Sequence, residues 1–111
     1  MMIIVRSGPE EAGRVGEALR LSVAMIGLDE LPTITFLDEG VRCLLPRAFS
    51  DATMQDYLQA SADLIGINAL SDSLDDHALN EKNLDPVLGA TMIDLETLVE
   101  LILRCGMVAT F

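Results

Sequence analysis

Cationic side chains are scarce in this chain: seven Lys and Arg stand against 18 Asp and Glu, a formal net charge of −11 over 111 residues. Phosphate backbones and anionic lipid surfaces are held through Lys and Arg, so this balance argues against direct nucleic-acid and membrane partners. Aromatic residues are also few, at 4%, and the core has to be aliphatic, built from Leu, Ile, Val, Met and Ala. There is one histidine, His77, and the two cysteines, Cys43 and Cys105, form no CxxC or other ligand spacing. No metal site and no cofactor are therefore expected. Neither GxxxxGK(S/T) nor GxGxxG occurs, and Glu10 and Glu11 would repel a phosphate placed at the Ser7-Gly8 turn, which argues against a nucleotide site. No apolar run approaches membrane-spanning length. The opening MMIIVRSGPEE reads as an immediate strand without a basic leader, so a cytoplasmic location with reduced thiols is expected.

Half the residues are apolar and the mean hydropathy is +0.40, values that suit one folded domain and exclude a disordered chain. A small domain this apolar and this acidic is expected to bury part of its apolar surface in a homo- or hetero-oligomer. The chain is organised around Leu31–Pro46, LPTITFLDEGVRCLLP. A β-branched and aromatic run (Thr33 to Leu37) meets Asp38, Glu39 and Gly40, and a short apolar segment follows to Pro46. That pattern predicts a strand that leaves a sheet, turns and enters a brief helix. In an open α/β sheet, sites are built where strands end in such turns.

Around this stretch the chain alternates. Met1–Val5 predicts a buried strand. Ser7 or Gly8 caps a helix whose apolar face is Ala12, Val15, Leu19, Val23 and Ile26, closed by Gly27. Ser50-Asp51 opens a second helix with Met54, Tyr57, Leu58, Ser61, Leu64 and Ile65 on one face, and Gly66 closes it. Ile67–Leu74 is expected as a third strand, the polar 75–83 as a short helix or turn, and Val87–Ile93 as a fourth strand weakened by Gly89. Asp94 caps a last helix with Leu95, Leu98, Val99 and Ile102 as its buried stripe, and Met107–Phe111 forms a final strand. This alternation implies a flavodoxin-like three-layer sandwich, a single α/β domain over 1–111 with a mainly parallel sheet of about five strands.

Few residues could carry chemistry. Cys43 is the one catalytic candidate: placement in the first turn of the brief helix, with Arg42 and Arg47 near in sequence, would favour a thiolate. Its apolar neighbours favour a buried, structural thiol instead. Cys105 falls at a helix C-terminus and reads as core. His77 is expected at the surface, its pKa raised by Asp75 and Asp76. Asp72, Asp75, Asp76, Glu81 and Asp85 face only Lys82 and read as a solvated acidic or docking surface. The candidate binding or interface residues are Asp38, Gly40, Leu44 and Leu45 in the organising stretch, with Asp75 and Asp76 beyond it.

The segments FLDEGVRCLLP (Phe36–Pro46), NLDP (Asn83–Pro86), the ending IDLETLVELILRCGMVATF and the opening layout IIVRSGPEEAGRVGEALRLS occur in an order that resembles the DsrE/DsrF-like sulfur-relay family, closest to its TusC/DsrF type of subunit. The resemblance implies a cytoplasmic α/β subunit that assembles with DsrE/TusD-type and DsrH/TusB-type relatives, or with itself, in complexes that pass persulfide sulfur between proteins. Such relays serve transfer-RNA thiolation or microbial sulfur metabolism. In the DsrE/TusD type a cysteine after the third strand carries the sulfur, several residues before a turn like NLDP, and counting back from that turn puts Asp75 at its position. The expectation is therefore a non-catalytic subunit. The alternatives are a carrier that uses Cys43, or a homo-oligomeric binding protein of the same fold outside sulfur transfer.

Overall fold

Met2–Val5 (β1) is an unbroken apolar run buried at all four positions, as a strand covered on both faces has to be. The computed structural model describes residues 1–111 and places β1 in a five-stranded, wholly parallel sheet. The other strands are Thr33–Phe36 (β2), Ile67–Leu70 (β3), Thr91–Ile93 (β4) and Val108–Thr110 (β5), in the order β4-β3-β2-β1-β5. The organising stretch thus supplies the central strand. Val5 is in register with Phe36, and Phe36 with Ala69, so the strands end together along one carboxyl edge.

Helices Ala12–Gly27 (α1), Ala52–Leu64 (α2), Ser71–Asp76 (α3) and Leu95–Arg104 (α4) complete the three layers. Two of them start on the expected aspartates. Asp51 accepts from the amides of Thr53 and Met54 at 2.8 and 3.4 Å, and Asp94 accepts from Thr97 at 2.8 Å. The chain steps in one direction from β1 to β4, and right-handed crossovers keep those connections on one face. There Ile3, Val5, Ile34, Phe36, Ile67 and Ala69 pack under Val15, Leu19, Met54 and Leu58, in a core of 18 buried residues. The step back to β5 sends α4 alone to the other face, where only Met2, Ile4, Leu70, Ile93 and Leu98 form a buried cluster. No helix is long and apolar enough to cross a membrane.

Several boundaries differ from expectation. The third strand stops at Leu70, and Ser71–Asp76 is helical because Ser71 leaves the sheet, its hydroxyl donating to the Ile93 carbonyl at 3.1 Å. The fourth strand is only Thr91–Ile93. Asp85 accepts from the Val87 amide at 3.2 Å and sets a 3₁₀ turn over Pro86–Leu88, which Gly89 closes at φ 58°. The segment after β2 is 3₁₀ over Asp38–Leu44, and the left-handed residue after α1 is Asp29 (φ 60°) rather than Gly27. On α4 the stripe is turned from the expected one: Leu98 is buried, Leu101 and Ile102 are half-buried, and Leu95 and Val99 are exposed. Leu64 and Ala12, expected on buried faces, are exposed as well.

Candidate functional site

The carboxyl edge is where the connections after β1, β2 and β3 meet, and backbone sterics fix how they meet. The 3₁₀ segment Asp38–Leu44 crosses directly over the end of β1. A Cβ on Gly40 would lie 2.1 Å from the Val5 carbonyl oxygen, so only glycine admits this crossing. The crossing forces Asp38 into the left-handed region at φ 52°. Two partners hold it there: Arg6 Nε donates to Asp38 Oδ2 at 2.7 Å, and the Asp38 amide donates to Ser73 Oγ at 2.8 Å. Asp38 therefore joins the ends of β1, β2 and β3, a residue in a sparsely populated conformation held by its surroundings.

Beside it runs a chain of charges. Arg42 Nε donates to Glu39 Oε2 at 2.7 Å, and its Nη2 also binds Glu10 at the start of α1. The hydrogen bond from Arg42 lowers the Glu10 pKa, and Glu10 in turn is the main cause of a raised Arg42 pKa. Glu39 continues the chain to His77, whose Nε2 lies 3.1 Å from Glu39 Oε1 while its Nδ1 lies 2.9 Å from the Ser73 carbonyl. A carbonyl and a carboxylate both accept, so satisfying both contacts takes a proton on each ring nitrogen, which is the imidazolium. The Ser73 carbonyl, and next Glu39, raise the His77 pKa; His77 and then Arg42 lower that of Glu39. The expected direction for His77 holds, but the cause is Ser73 and Glu39 rather than Asp75 and Asp76.

An open cleft of about 410 Å³ lies on this edge between β1 and β5, the point where the strand order reverses. Its walls include Arg6, Arg14, Glu10, Glu11, Asp38 and Glu39. Arg6 is paired with Asp38, and Arg14 lies 3.9 Å from Glu11 without a hydrogen bond. Carboxylates outnumber the two arginines, so the balance of charge in the cleft is unfavourable to an anion. No group of three His, Cys, Asp or Glu side chains is placed to hold a metal ion. The arrangement braces three loops and presents a polar, acid-rich surface.

Neither thiol is exposed on this edge: Cys43 lies buried beneath it, and Cys105 lies at the opposite edge. Cys43 is fully buried in the main core, its thiol 3.5 Å from the Ser7 carbonyl, and burial pushes its pKa up to about 12. It is the sixth residue of the seven-residue 3₁₀ segment and not in a first turn, so the expected dipole assistance is absent. Cys105 is half-buried, at the end of α4 by the amino edge of the sheet, where it packs against the smaller cluster. Leu44, expected as an interface residue, is fully buried, its carbonyl accepting from the Asp85 amide at 2.8 Å; Leu45 packs half-buried on the same core. Gly40 is buried and serves the crossing. Asp38, Asp75 and Asp76 are exposed, the last two on α3. The structure thus brings Asp38 and Gly40 to the carboxyl edge and adds residues that were not among the expected site residues: Arg6, Glu39 and Ser73, with Glu10, Arg42 and His77 along the charge chain. Arg6 carried a signal, a charge directly after a buried strand. Ser73 was hidden by the expectation of a longer β3.

Neither family models nor curated proteins match the chain. Among solved structures, a protein of unknown function from Methanobacterium thermoautotrophicum is similar, with a TM-score of 0.70 and 14% sequence identity over 99% of this chain and 96% of that one. At that identity the likeness shows the fold alone.

Proposed function

We propose that this chain is a non-catalytic subunit of a DsrE/DsrF-like sulfur-relay assembly, working in the cytoplasm beside a related, cysteine-bearing subunit. The observation that carries the reading is the state of the carboxyl edge. At the position where the resemblance puts a carrier cysteine, α3 exposes Asp75, and the thiol nearest that edge, Cys43, is fully buried beneath it. Persulfide transfer needs a thiol that is reachable and partly ionised near neutral pH. Cys43 is neither, which also opposes the alternative in which it is the carrier. The edge is instead braced by Arg6, Asp38, Arg42 and Glu39 into a fixed shape, which suits a subunit that contributes surface.

The test combines loading and capture. Incubated with polysulfide or with a cysteine desulfurase and cysteine, the folded chain should gain no stable mass of about 32 Da, the increment of one persulfide sulfur. Purified from its native cell, it should carry related subunits, at least one of them with a loadable cysteine. Stoichiometric loading that a Cys43→Ser variant abolishes would overturn the silent-subunit reading in favour of the carrier.

A further inference from the structure

His77 is the chain's one histidine, the side-chain type whose ordinary titration falls between pH 5 and 8. It stands at the end of α3 between two acceptors, the Ser73 carbonyl at 2.9 Å and Glu39 at 3.1 Å. Ser73 is tied a second time to the same segment, its Oγ accepting from the Asp38 amide at 2.8 Å. The last turn of α3 is thus fastened to the start of the 3₁₀ segment Asp38–Leu44 at two points.

A residue in the left-handed region stands at each end of this tie: Asp38 at φ 52° and Ala78 at φ 55°. The Ala78 amide donates to the Asp75 carbonyl at 3.0 Å and the Leu79 amide to that of Leu74 at 2.8 Å, the pair of bonds with which helices commonly end on a glycine. Alanine has neither glycine's freedom nor the local hydrogen bond of an aspartate side chain, so its Cβ opposes this turn. Such conformations persist where the surrounding contacts over-determine the backbone, and they collect at switch regions.

Loss of the His77 proton removes one of those contacts. A neutral ring has a single donor; kept on Nδ1 for the Ser73 carbonyl, it leaves a lone pair on Nε2 facing Glu39. Glu39 has another partner, since Arg42 Nε donates to its second oxygen at 2.7 Å. The other charges about the tie are Arg42, with Glu10 behind it, Asp38 paired with Arg6, and the exposed Asp75 and Asp76 on α3 itself. Leu74, 3% exposed, keeps the body of α3 seated in the core, so only its last turn and the Asp38 end are free to open.

We propose that His77 is a proton-operated latch: charged, it pins the last turn of α3 to the 3₁₀ segment, and neutral, it lets that turn and the Asp38 amide open while the core stays closed. The inference rests on no part of the sulfur-relay reading, and its test involves no thiol. Amide hydrogen exchange of the full chain is read as protection factors, which remove the intrinsic pH dependence of exchange. From pH 5.5 to 8.5 the protection of Asp38, Ala78 and Leu79 should fall about three- to fivefold, the range an exposed ion pair supplies. At pH 8.5 these amides should exchange well ahead of Ile34 and Ile67 in the central strands. His77→Gln should show the low protection at both pH values. Glu39→Gln should abolish the pH dependence while keeping the protection, because a carboxamide can accept from the charged ring and donate to the neutral one. Ala78→Gly, which relieves the turn, should raise the protection of Leu79 at pH 8.5. Equal protection at the two pH values in the parent chain would overturn the proposal, as would a fall that persists in His77→Gln. So would exchange of the three amides at the rate of Ile34 and Ile67, the sign of global unfolding.

Discussion

The two faces of the sheet have the same strands and opposite fates. On one, Ile3, Val5, Ile34, Phe36, Ile67 and Ala69 are sealed under α1, α2 and the β3–β4 connection. On the other, the residues are mixed, Met2 and Ile4 beside Thr35 and Asn68, and α4 alone lies over them. The cause is topological. Three right-handed steps in one direction must place their connections on one face, and the single reversed step leaves one ten-residue helix for the other. The strands record the difference: Thr35 is buried with only a weak contact, its hydroxyl 3.5 Å from the Met2 sulfur, whereas its neighbours Ile34 and Phe36 enter the main core. The well-covered face holds most of the core, and the sparsely covered one leaves apolar surface exposed.

The thiols sharpen this contrast most. Cys43 belongs to the sealed face, and with a pKa of about 12 only ~10⁻⁴ of it is thiolate at pH 8. A disulfide reagent should label Cys105 in the native protein and leave Cys43 unmodified until denaturant is added, with peptide mapping by mass spectrometry as the check. Comparable native rates at the two sites would break the distinction between the faces. Truncations come next in size. Phe36→Ala should cost about 3–5 kcal/mol in denaturant unfolding, from lost burial and a residual cavity. Leu98→Ala, at the thinner face where α4 can settle, should fall at the low end of the ~2–5 kcal/mol range for such changes. Leu103→Ala, 80% exposed, should change stability by no more than about 0.5 kcal/mol.

Those same faces explain what could be read from sequence. Strand and helix order was legible because apolar periodicity reports burial, and caps such as Asp51 and Asp94 mark helix starts locally. The all-parallel sheet followed from that alternation. The α4 stripe misled because periodicity cannot say which apolar residues meet the sheet and which stay exposed: Leu95 and Val99 have the same spacing as truly buried positions. The carboxyl-edge brace was hardly legible. Arg6 and Asp38 are 32 residues apart, and Asp38 and Ser73 are 35 apart, pairings made by strand register and not by any local motif. Gly40 was selected as a turn, but its reason, a backbone carbonyl where a Cβ would go, exists only in three dimensions.

Gly40→Ala tests the edge against the faces. The added methyl meets backbone, at Val5, and cannot be relieved by turning a side chain, so the 3₁₀ segment has to lift. A loss of about 1–3 kcal/mol is expected, the usual cost of overpacking a filled site. The Asp38 amide bond to Ser73 should exchange faster in the variant by hydrogen exchange. Unchanged stability with unchanged exchange would show that the segment is loosely held and the brace unimportant.

The smallest effect belongs to the His77–Glu39 contact, and its pH dependence has a definite sign. His77 has a raised pKa in the folded chain relative to 6.5, caused first by the Ser73 carbonyl and then by Glu39. A group protonated more readily when folded stabilises the fold fully below its unfolded value, and that contribution is lost as pH rises through the folded one. Removing His77 should therefore matter in acid and not in base. The urea midpoint of His77→Gln should lie below that of the parent chain at pH 5.5, and the two should converge by pH 8.5. Glu39 is exposed, so solvent screening keeps the difference small. Nuclear magnetic resonance supplies the independent measure: the His77 ring should titrate above 6.5, and Glu39→Gln should lower its midpoint without reaching the Ser73 contribution. A midpoint at or below 6.5 in the parent chain would mean that one ring nitrogen faces its acceptor without a proton, and that the charge chain from Glu10 through Arg42 and Glu39 ends before it reaches α3.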